Sequence, residues 1–418
     1  MKLAVVGAGS TYTPEVVDGI VRLRDLLDVD DLALCDVAEE RLEVVAGLAQ
    51  RMLDRQGHHA RLLQTTRLEE AVEGAHVVLV QIRVGGQAAR MVDESVPLAC
   101  GCVGQETTGF GGLAKALRTV PVVLDIAGRV RESAPDAWIV DFTNPVGIVT
   151  KALLDEGHRA VGLCSAAVVF QKHFAKILEV EPARIELDHV GLNHLTWELA
   201  VRLDGEDVLP RLLGEHVEQV APATGLPPEL VARLGNVPSY YLHYFYEHDR
   251  VVEHQRESVS RAEEVAQIER ELLEQYRDET LAEKPPLLAR RGGAGYSEAA
   301  VELVASLFGS GGRGRHVINV RNGGTLPFLD DEAVVEVPAR VGPDGVDPLP
   351  MPRLSPVERG LVSHVSAYEE LALDAALRGG RERVFRALLA HPLLGQAEVA
   401  ETLADRMIDS NREFLAWA

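Results

Sequence analysis

The segment KLAVVGAGSTYTPEVV at the beginning of the sequence constrains the fold more than any other stretch. Residues 3–6 form an apolar run that is long enough for a strand buried on both faces and too short for a helix. Gly7 and Gly9 follow directly. A helix is predicted to begin next, with Thr13 as its N-cap and Pro14 at its first position. A strand, a glycine turn and a helix N-terminus in this order predict a phosphate cradle, because glycines allow close approach and unpaired N–H groups point at the ligand.

Asp36 makes this cradle more specific. It stands at the end of a second predicted strand, residues 32–35, where a carboxylate can bind the ribose hydroxyls of a dinucleotide. A 2′-phosphate would meet negative charge there, so NAD is predicted rather than NADP. The glycine pattern is imperfect, because Tyr12 occupies the position of its third glycine. The alternative is that Asp36 only caps a helix that begins near Glu39.

The composition argues against several classes of protein. The 64 acidic and 42 basic residues leave a formal charge of −22, which argues against nucleic acid and anionic membranes as partners. No apolar run approaches the length of a bilayer span, and Met1 leads directly into the first predicted strand, without room for a signal peptide. We therefore expect a cytoplasmic protein with a small-molecule ligand.

Strands and helices alternate up to about residue 165, which predicts a doubly wound parallel sheet. Further strands are predicted at 61–66, 76–82, 137–142 and 159–164, and helices at 39–56, 112–132 and 146–156. The later pattern is α+β, with strands at 184–190, 195–203, 316–320 and 333–337, a long helical region at 240–283, a helix at 297–308, a loop at 339–356 and a helical tail. A chain of 418 residues suggests two domains, which we place at 1–165 and 166–418.

A polar segment at 82–119 begins at the carboxyl end of a predicted strand, where ligands of open α/β sheets bind. It is rich in Gly and Thr and is predicted to be a long functional loop that contains Arg83 and the run QETT at 105–108. Arg83 could bind a phosphate or a carboxylate with two hydrogen bonds. On spacing alone, it could equally pair with Asp93 or Glu94 at the surface.

Other candidate site residues each have a structural alternative. Asn144 precedes a proline after a predicted strand and could present its amide to a ligand, or could simply form a turn. The four cysteines are too scattered for a disulfide scaffold. Cys164 with His194 would suit a first-row divalent metal, although both are more often buried structural residues. Tyr241 lies in the run SYYLHYFY, whose helical spacing favours a core stripe, and a phenol needs a nearby cation to act as a base.

Several blocks together carry a resemblance to a known family. They are GAGSTYTPEV, IRVGGQAARMVDESVPL, GQETTGFGGLAKALRTVPV, FTNPVGIVTKA, GLCS, GLNHLTWE, SYYLHYFY, RGGAGYSEAA and NVRNGG, followed by VVEVP. In this order they closely resemble the NAD- and metal-dependent glycosidases of glycoside hydrolase family 4, nearest to the 6-phospho-β-glucosidase branch. The resemblance implies a Rossmann domain, an α+β domain like the C-terminal half of lactate and malate dehydrogenases, and a homodimer or homotetramer.

The resemblance also implies a reaction outside the two-carboxylate scheme of most glycosidases. NAD⁺ would take a hydride from C3 of the sugar, the C2 proton would be removed, the aglycone would leave from C1, water would add and the hydride would return. The roles implied are NAD binding by Gly7, Gly9, Ser10 and Asp36, binding of a divalent metal, typically manganese, by Cys164 and His194, proton removal by Tyr241, and substrate binding by Arg83, Asn144 and Asn193.

Two positions depart from the branch that the chain resembles. Ser165 stands where Asn is usual, and His243 replaces an arginine. The requirement for a 6-phosphate and the sugar epimer therefore stay open, and a family 4 glycosidase for another or an unphosphorylated sugar is an alternative. Two other classes also remain, a hydroxy-acid dehydrogenase and a non-catalytic NAD-binding sensor of sugar phosphates.

Overall fold

The computed structural model describes residues 1–292, 295–309 and 312–418. Gly293 and Ala294, which belong to the block RGGAGYSEAA, lie outside the described residues.

The first part of the chain alternates strands and helices as predicted. Its strands are β1 (Lys2–Val6), β2 (Asp31–Cys35), β3 (Arg61–Thr65), β4 (Val77–Val80), β5 (Trp138–Asp141) and β6 (Ala160–Gly162). Its helices are α1 (Thr13–Arg22), α2 (Glu39–Arg55), α3 (Leu68–Val72), α4 (Gly86–Leu98), α5 (Gly109–Ser133), α6 (Val146–Asp155) and α7 (Ala166–Leu178). The strands pair in parallel in the order β3-β2-β1-β4-β5-β6, which confirms the doubly wound sheet.

The second part mixes antiparallel strands with helices. Its strands are β7 (Ile185–Leu192), β8 (Leu195–Leu203), β9 (Glu206–Asp207), β10 (Val237–Pro238), β11 (Gly314–Arg321), β12 (Val334–Gly342) and β13 (Gly345–Pro348). Its helices are α8 (Leu209–Glu215), α9 (Val217–Val220), α10 (Pro228–Leu234), α11 (His243–Tyr246), α12 (His248–Glu257), α13 (Arg261–Tyr276), α14 (Leu288–Arg291), α15 (Tyr296–Leu307), α16 (Pro356–Arg378), α17 (Arg381–Ala390) and α18 (Ala397–Asn411). In the described ranges, no helix combines the length and the apolarity needed to cross a bilayer.

One sheet runs through both parts of the chain. Strand β11 pairs antiparallel with β6 where Asn319 lies opposite Gly162, and β12 joins β11 to β7. One cluster of buried apolar residues likewise extends from the strands of the first part to the C-terminal helices. The two parts therefore share a core, and the division at residue 165 stays a prediction.

Three of the predicted segments differ from the structure. The loop at 82–119 is wrong, because most of it forms α4 and the beginning of α5, and the apolar side chains of α5, Phe110 among them, are buried. The loop at 339–356 contains the end of β12 and the paired strand β13. The long helix at 240–283 is broken into a 3-10 turn (Tyr240–Leu242) and α11 to α13. Glycine and threonine content concealed α4, because tertiary packing overrides local propensity, whereas the helix predicted at 112–132 is confirmed as α5 and begins three residues earlier, at Gly109.

The start of α1 is also shifted from the prediction. Thr13 is the first helical residue and Tyr12 precedes it as the N-cap, without a capping side-chain hydrogen bond. The hydroxyl of Thr13 instead donates to the carbonyl oxygen of Ala8 at 2.8 Å and accepts a hydrogen bond from Nε2 of Gln81 at 2.9 Å. The threonine therefore ties the helix to the glycine turn and to the end of β4.

Candidate active site

A cavity of about 1510 Å³ lies at the carboxyl edge of the parallel strands. Gly7 follows β1, Arg83 follows β4, Asn144 follows β5 and Cys164 follows β6, and all four line the cavity. These strands are neighbours, so their carboxyl ends meet at the same edge. The volume exceeds the ~300–1,000 Å³ typical of a pocket for one drug-sized ligand, so a dinucleotide and a second molecule have room.

All but one of the predicted site residues line this cavity. They are Gly7, Gly9, Ser10, Asp36, Arg83, Asn144, Cys164, His194 and Tyr241. Asn193 does not line it, and its amide nitrogen donates to Oε2 of Glu336 at 2.8 Å. The structure therefore brings the glycine turn, Cys164, His194 and Tyr241 to one cavity. The side chain of Asn193 lies outside the cavity lining, where it bonds to Glu336.

The glycine turn has no space for larger side chains. Gly7 has φ +88°, and a Cβ there would lie 2.8 Å from the carbonyl oxygen of Gln81. The N–H of Gly9 donates to Oδ2 of Asp36 at 2.8 Å, and the other carboxylate oxygen accepts from the N–H of Ala38 at 2.9 Å. Asp36 is therefore more than a helix cap, because its side chain joins the turn to the start of α2 and lines the cavity.

Asp36 is expected to select the dinucleotide. Asp36→Ala should weaken NAD⁺ binding by about 10- to 100-fold, since hydrogen bonds to a charged group contribute about 1.5–3 kcal/mol. The ratio of the NAD⁺ to NADP⁺ affinities should fall as well, because the charge that opposes a 2′-phosphate is gone. Calorimetric titration with both dinucleotides measures both effects. Asp54→Asn, on α2 and outside the cavity lining, is the control; unchanged affinities in Asp36→Ala would contradict the assignment.

Cys164 and His194 reach the cavity from different parts of the sheet. Cys164 lies between β6 and the first turn of α7, where the positive end of the helix dipole favours negative charge. His194 lies in the turn between β7 and β8, with φ +62°, which is uncommon for a residue other than glycine. The ring of Tyr241 stacks on that of His194, with centroids 3.6 Å apart and planes 9° from parallel. Tyr241 thus lines the cavity, and it also packs, partly buried, against the apolar cluster of Val103, Tyr244 and Val252, as the core-stripe interpretation predicts.

The hydrogen bonds of His194 suit a metal ligand. Its Nδ1 lies 2.8 Å from Oγ1 of Thr107, and that hydroxyl donates to Oε1 of Gln105 at 2.9 Å. A hydroxyl has a single proton, so Thr107 accepts from the Nδ1–H and leaves the lone pair of Nε2 for a ligand. Burial lowers the pKa of His194 to about 4, so the ring is neutral near pH 7. A thiolate and a neutral imidazole form a donor set that fits a first-row divalent ion.

Charged side chains form a cluster on the cavity wall, consisting of Arg83, Arg90, Glu94, Glu106 and Lys115. Arg83 pairs with Glu106, and Nζ of Lys115 lies 2.9 Å from the same carboxylate. Arg90 bonds to Glu94 at 2.7 Å and also approaches Glu106 at 3.4 Å. Asp93, the other expected partner of Arg83, binds Arg118 instead. The predicted pairing of Arg83 with Asp93 or Glu94 is therefore wrong, because Asp93 pairs with Arg118 and Glu94 pairs with Arg90.

This cluster has more cations than carboxylates. Burial raises the pKa of Glu106, but the charges of Arg83, Lys115 and Arg90 outweigh it and hold the pKa well below its usual range. Burial and the charge of Arg83 lower the pKa of Lys115 to about 8, although Glu106 opposes this. Three cations share two carboxylates, which is an environment that favours a further anion.

Asn144 offers the cavity a neutral acceptor. Its Oδ1 is buried and has no hydrogen-bond partner within the part of the chain that the structure describes. A buried acceptor without a partner is costly, so a hydroxyl group of a ligand would satisfy it.

Sequence reasoning missed the roles of Thr107, Arg90 and Lys115. In the sequence, Thr107 is only part of the polar run at 105–108, and nothing there points to its contact with a histidine 87 positions away. Lys115 did carry a signal, because it is the one charged residue in the apolar run GFGGLAKAL. A buried lysine of this kind needs a partner, and Glu106 supplies it.

The chain is similar over almost its whole length to known glycosidases. The chain is 36% identical to the probable 6-phospho-beta-glucosidase of Bacillus subtilis (strain 168), over 99% of this chain and 97% of that protein. It superposes on the 6-phospho-beta glucosidase from Thermotoga maritima solved with NAD and glucose-6-phosphate, with a TM-score of 0.93, 32% identity and 99% of each chain covered. A second structure of that enzyme, with manganese, NAD⁺ and glucose-6-phosphate, gives a TM-score of 0.91, 31% identity and the same coverage.

A more distant likeness confirms the predicted fold class. Malate dehydrogenase from Salinibacter ruber matches with a TM-score of 0.56 and 16% identity, over 90% of this chain and 98% of that one, and so shows the fold alone. Two family models match the chain: Family 4 glycosyl hydrolase over residues 2–180 and Family 4 glycosyl hydrolase C-terminal domain over residues 189–394. The resemblance recognised in the sequence is thereby confirmed, and the chain belongs to family 4 of the glycosyl hydrolases.

Proposed function

We propose that this protein hydrolyses the O-glycosidic bond of 6-phospho-β-glucosides with NAD⁺ and a divalent metal ion, Mn²⁺ by preference. The observation that carries the proposal is that Cys164, His194 and Tyr241 line the same cavity as Gly9 and Asp36. The names and ligands of the relatives from Bacillus subtilis and Thermotoga maritima support it.

The side chains divide the work of this reaction. When bound, NAD⁺ supplies hydride removal and return at C3, and a divalent ion supplies charge stabilisation at the sugar oxygens. Cys164 and His194 hold the ion, and Asn144 accepts a sugar hydroxyl. Tyr241 removes the C2 proton, which requires positive charge close to a phenol that otherwise titrates near pH ~10. His194 is neutral and supplies no such charge itself, and a divalent ion held by Cys164 and His194 would supply it.

The charged cluster around Glu106 is the proposed site for the phosphate group. Arg83 has a side chain that is 26% exposed and presents a guanidinium that can bind an anion with two hydrogen bonds. Lys115 adds a cation whose lowered pKa reflects burial and the neighbouring charge of Arg83, and an anion would relieve that repulsion.

One observation favours the alternative of an unphosphorylated or different sugar. His243 lines the cavity where the related branch has arginine, and burial lowers its pKa, so it contributes no charge near pH 7. Ser165, the other departure, lines the same cavity. The substrate comparison below decides between the two candidates.

An assay with matched substrates tests the function. The purified protein would be given p-nitrophenyl β-glucoside 6-phosphate and its unphosphorylated analogue, with and without NAD⁺, Mn²⁺ and reductant. Cleavage of the phosphorylated substrate should require both additives, release no net NADH and, in D₂O, place deuterium at C2 of the product. Stoichiometric NADH would indicate a dehydrogenase, preference for the unphosphorylated analogue would favour the alternative sugar, and cleavage that is unaffected by removing NAD⁺ would refute the mechanism.

Three further expectations from the sequence stay predictions. They are a homodimer or homotetramer, a cytoplasmic location, and a division into an NAD-binding domain at 1–165 and a substrate and metal domain at 166–418.

A further inference from the structure

The turn that carries His194 rests on a group of buried polar side chains. We call this group the turn-support cluster, and its members are His189, Asn193, Glu198, Asn319 and Glu336. None of these five residues lines the cavity, and all are fully buried except Asn193, which is partly buried. The reaction proposed above gives them no direct role.

Glu336 is the centre of this cluster. Its Oε2 accepts from Nδ2 of Asn193 at 2.8 Å and from Nδ2 of Asn319 at 3.0 Å. Its Oε1 lies 3.0 Å from Nε2 of His189. On the backbone, Glu336 of β12 lies opposite Gly191 of β7, two residues before Asn193. One carboxylate thus connects two neighbouring strands and the turn that follows β7.

The cluster carries a net negative charge. Burial lowers the pKa of His189, but the carboxylates of Glu198 and Glu336 more than offset this and raise it to about 10, so its imidazole is protonated near pH 7. Nδ1 of His189 lies 2.6 Å from Oε1 of Glu198. One imidazolium between two carboxylates leaves one uncompensated negative charge beneath the turn.

We propose that Glu336 is a positioning residue for the metal ligand His194. It fixes the turn through Asn193, and its negative charge favours a divalent cation on the cavity side of His194. The left-handed backbone of His194 supports this inference, because a residue in such a conformation needs surrounding contacts to hold it. Buried ionic groups are costly compared with apolar ones, so a cluster directly behind a candidate ligand calls for a specific role. The inference rests on the proposed metal-binding function of His194.

Two substitutions separate the effect of the charge of Glu336 from that of its hydrogen bond with Asn193. Glu336→Gln keeps the shape and can still be satisfied, because its amide oxygen can accept from both asparagines while its NH₂ donates to a neutral His189. Asn193→Ala removes the hydrogen bond between Asn193 and Glu336 and keeps the charge of Glu336. Removing an outer partner of a metal ligand typically costs about 10- to 100-fold in metal affinity, and we expect about this loss in each variant.

The measurement is Mn²⁺ affinity of the NAD⁺-loaded protein, followed by the electron paramagnetic resonance signal of free Mn²⁺. NAD⁺ affinity and Tm are recorded alongside, and NAD⁺ affinity should be unchanged. Glu358→Gln is the matched control, because Glu358 is also buried and accepts from Nδ2 of Asn236 at 2.8 Å, away from the turn. The control should keep the Mn²⁺ affinity of the unmodified protein whatever its effect on Tm.

The outcomes distinguish this inference from the proposed function. If the unmodified protein binds Mn²⁺ and His194→Ala does not, the metal site stands, and unmodified affinity in both Glu336→Gln and Asn193→Ala overturns the inference alone. If only Asn193→Ala loses Mn²⁺ affinity, the hydrogen bond from Asn193 is supported and the contribution of the charge is overturned. If only Glu336→Gln loses Mn²⁺ affinity, the contribution of the charge is supported and that of the hydrogen bond is overturned. Equal loss in the Glu358→Gln control would show a general effect of buried carboxylates and overturn the inference. An unmodified protein that binds no Mn²⁺ overturns both.

Discussion

Cys164→Ala is expected to abolish Mn²⁺ binding and to lower kcat/KM by at least about 10³-fold. A bound ion contributes several kcal/mol of charge stabilisation to a transition state, and each 1.36 kcal/mol is a factor of ten in rate. NAD⁺ binding should persist, because the glycine turn and Asp36 follow other strands, β1 and β2, and Cys164 follows β6. Titration with Mn²⁺ and steady-state kinetics with p-nitrophenyl β-glucoside 6-phosphate measure the two effects.

Oxidation tests the same thiol without mutation. Peroxide should inactivate the protein by converting the Cys164 thiolate to a sulfinate, which is not an equivalent ligand, while the fold remains. Cys102→Ala is the control variant, since Cys102 is buried in the core and does not line the cavity. It should keep Mn²⁺ binding and remain sensitive to peroxide. Full activity of Cys164→Ala would rule out the ligand assignment.

Tyr241→Phe is expected to lower kcat by about 10²- to 10⁴-fold, which is the usual contribution of a general base. Only the hydroxyl is lost, so the ring can still stack on His194, and the affinities for Mn²⁺ and NAD⁺ should stay close to those of the unmodified protein. Incorporation of deuterium at C2 should fall in parallel with turnover, because the same proton transfer controls both.

Tyr246→Phe is the matched control for this experiment. Tyr246 lies in the same aromatic run but does not line the cavity, so loss of its hydroxyl should leave C2 exchange unchanged. If Tyr241→Phe loses kcat but keeps C2 exchange at the rate of the unmodified protein, Tyr241 acts elsewhere in the reaction. If Tyr241→Phe loses Mn²⁺ affinity instead, its contact with His194 is structural.

The first part of the fold follows from local signals. An apolar strand, a glycine turn and a strand-end acid are each readable within a few residues, and right-handed parallel connections place successive strand ends on one edge. That is why Gly9, Asp36, Arg83, Asn144 and Cys164 were expected at one site and lie there. The same reasoning failed for α4, because the glycines of the segment at 82–119 suggested a loop, whereas the helix predicted at 112–132 is present as α5.

By itself, the sequence determined the doubly wound sheet and, through its blocks taken together, membership of family 4, while the phosphate cradle and the preference for NAD over NADP stay predictions. Only the tertiary structure decided which partners these residues have. Thr107 forms a hydrogen bond with His194, and Glu106 forms ion pairs with Arg83 and Lys115. Asn193 donates a hydrogen bond to Glu336, outside the cavity lining. These pairs are separated by up to 143 residues, and local patterns cannot specify them. The contacts of His194 and Asn193 depend on how β7, β11 and β12 join the parallel sheet, because that pairing determines which side chains are buried together and which face the ligand.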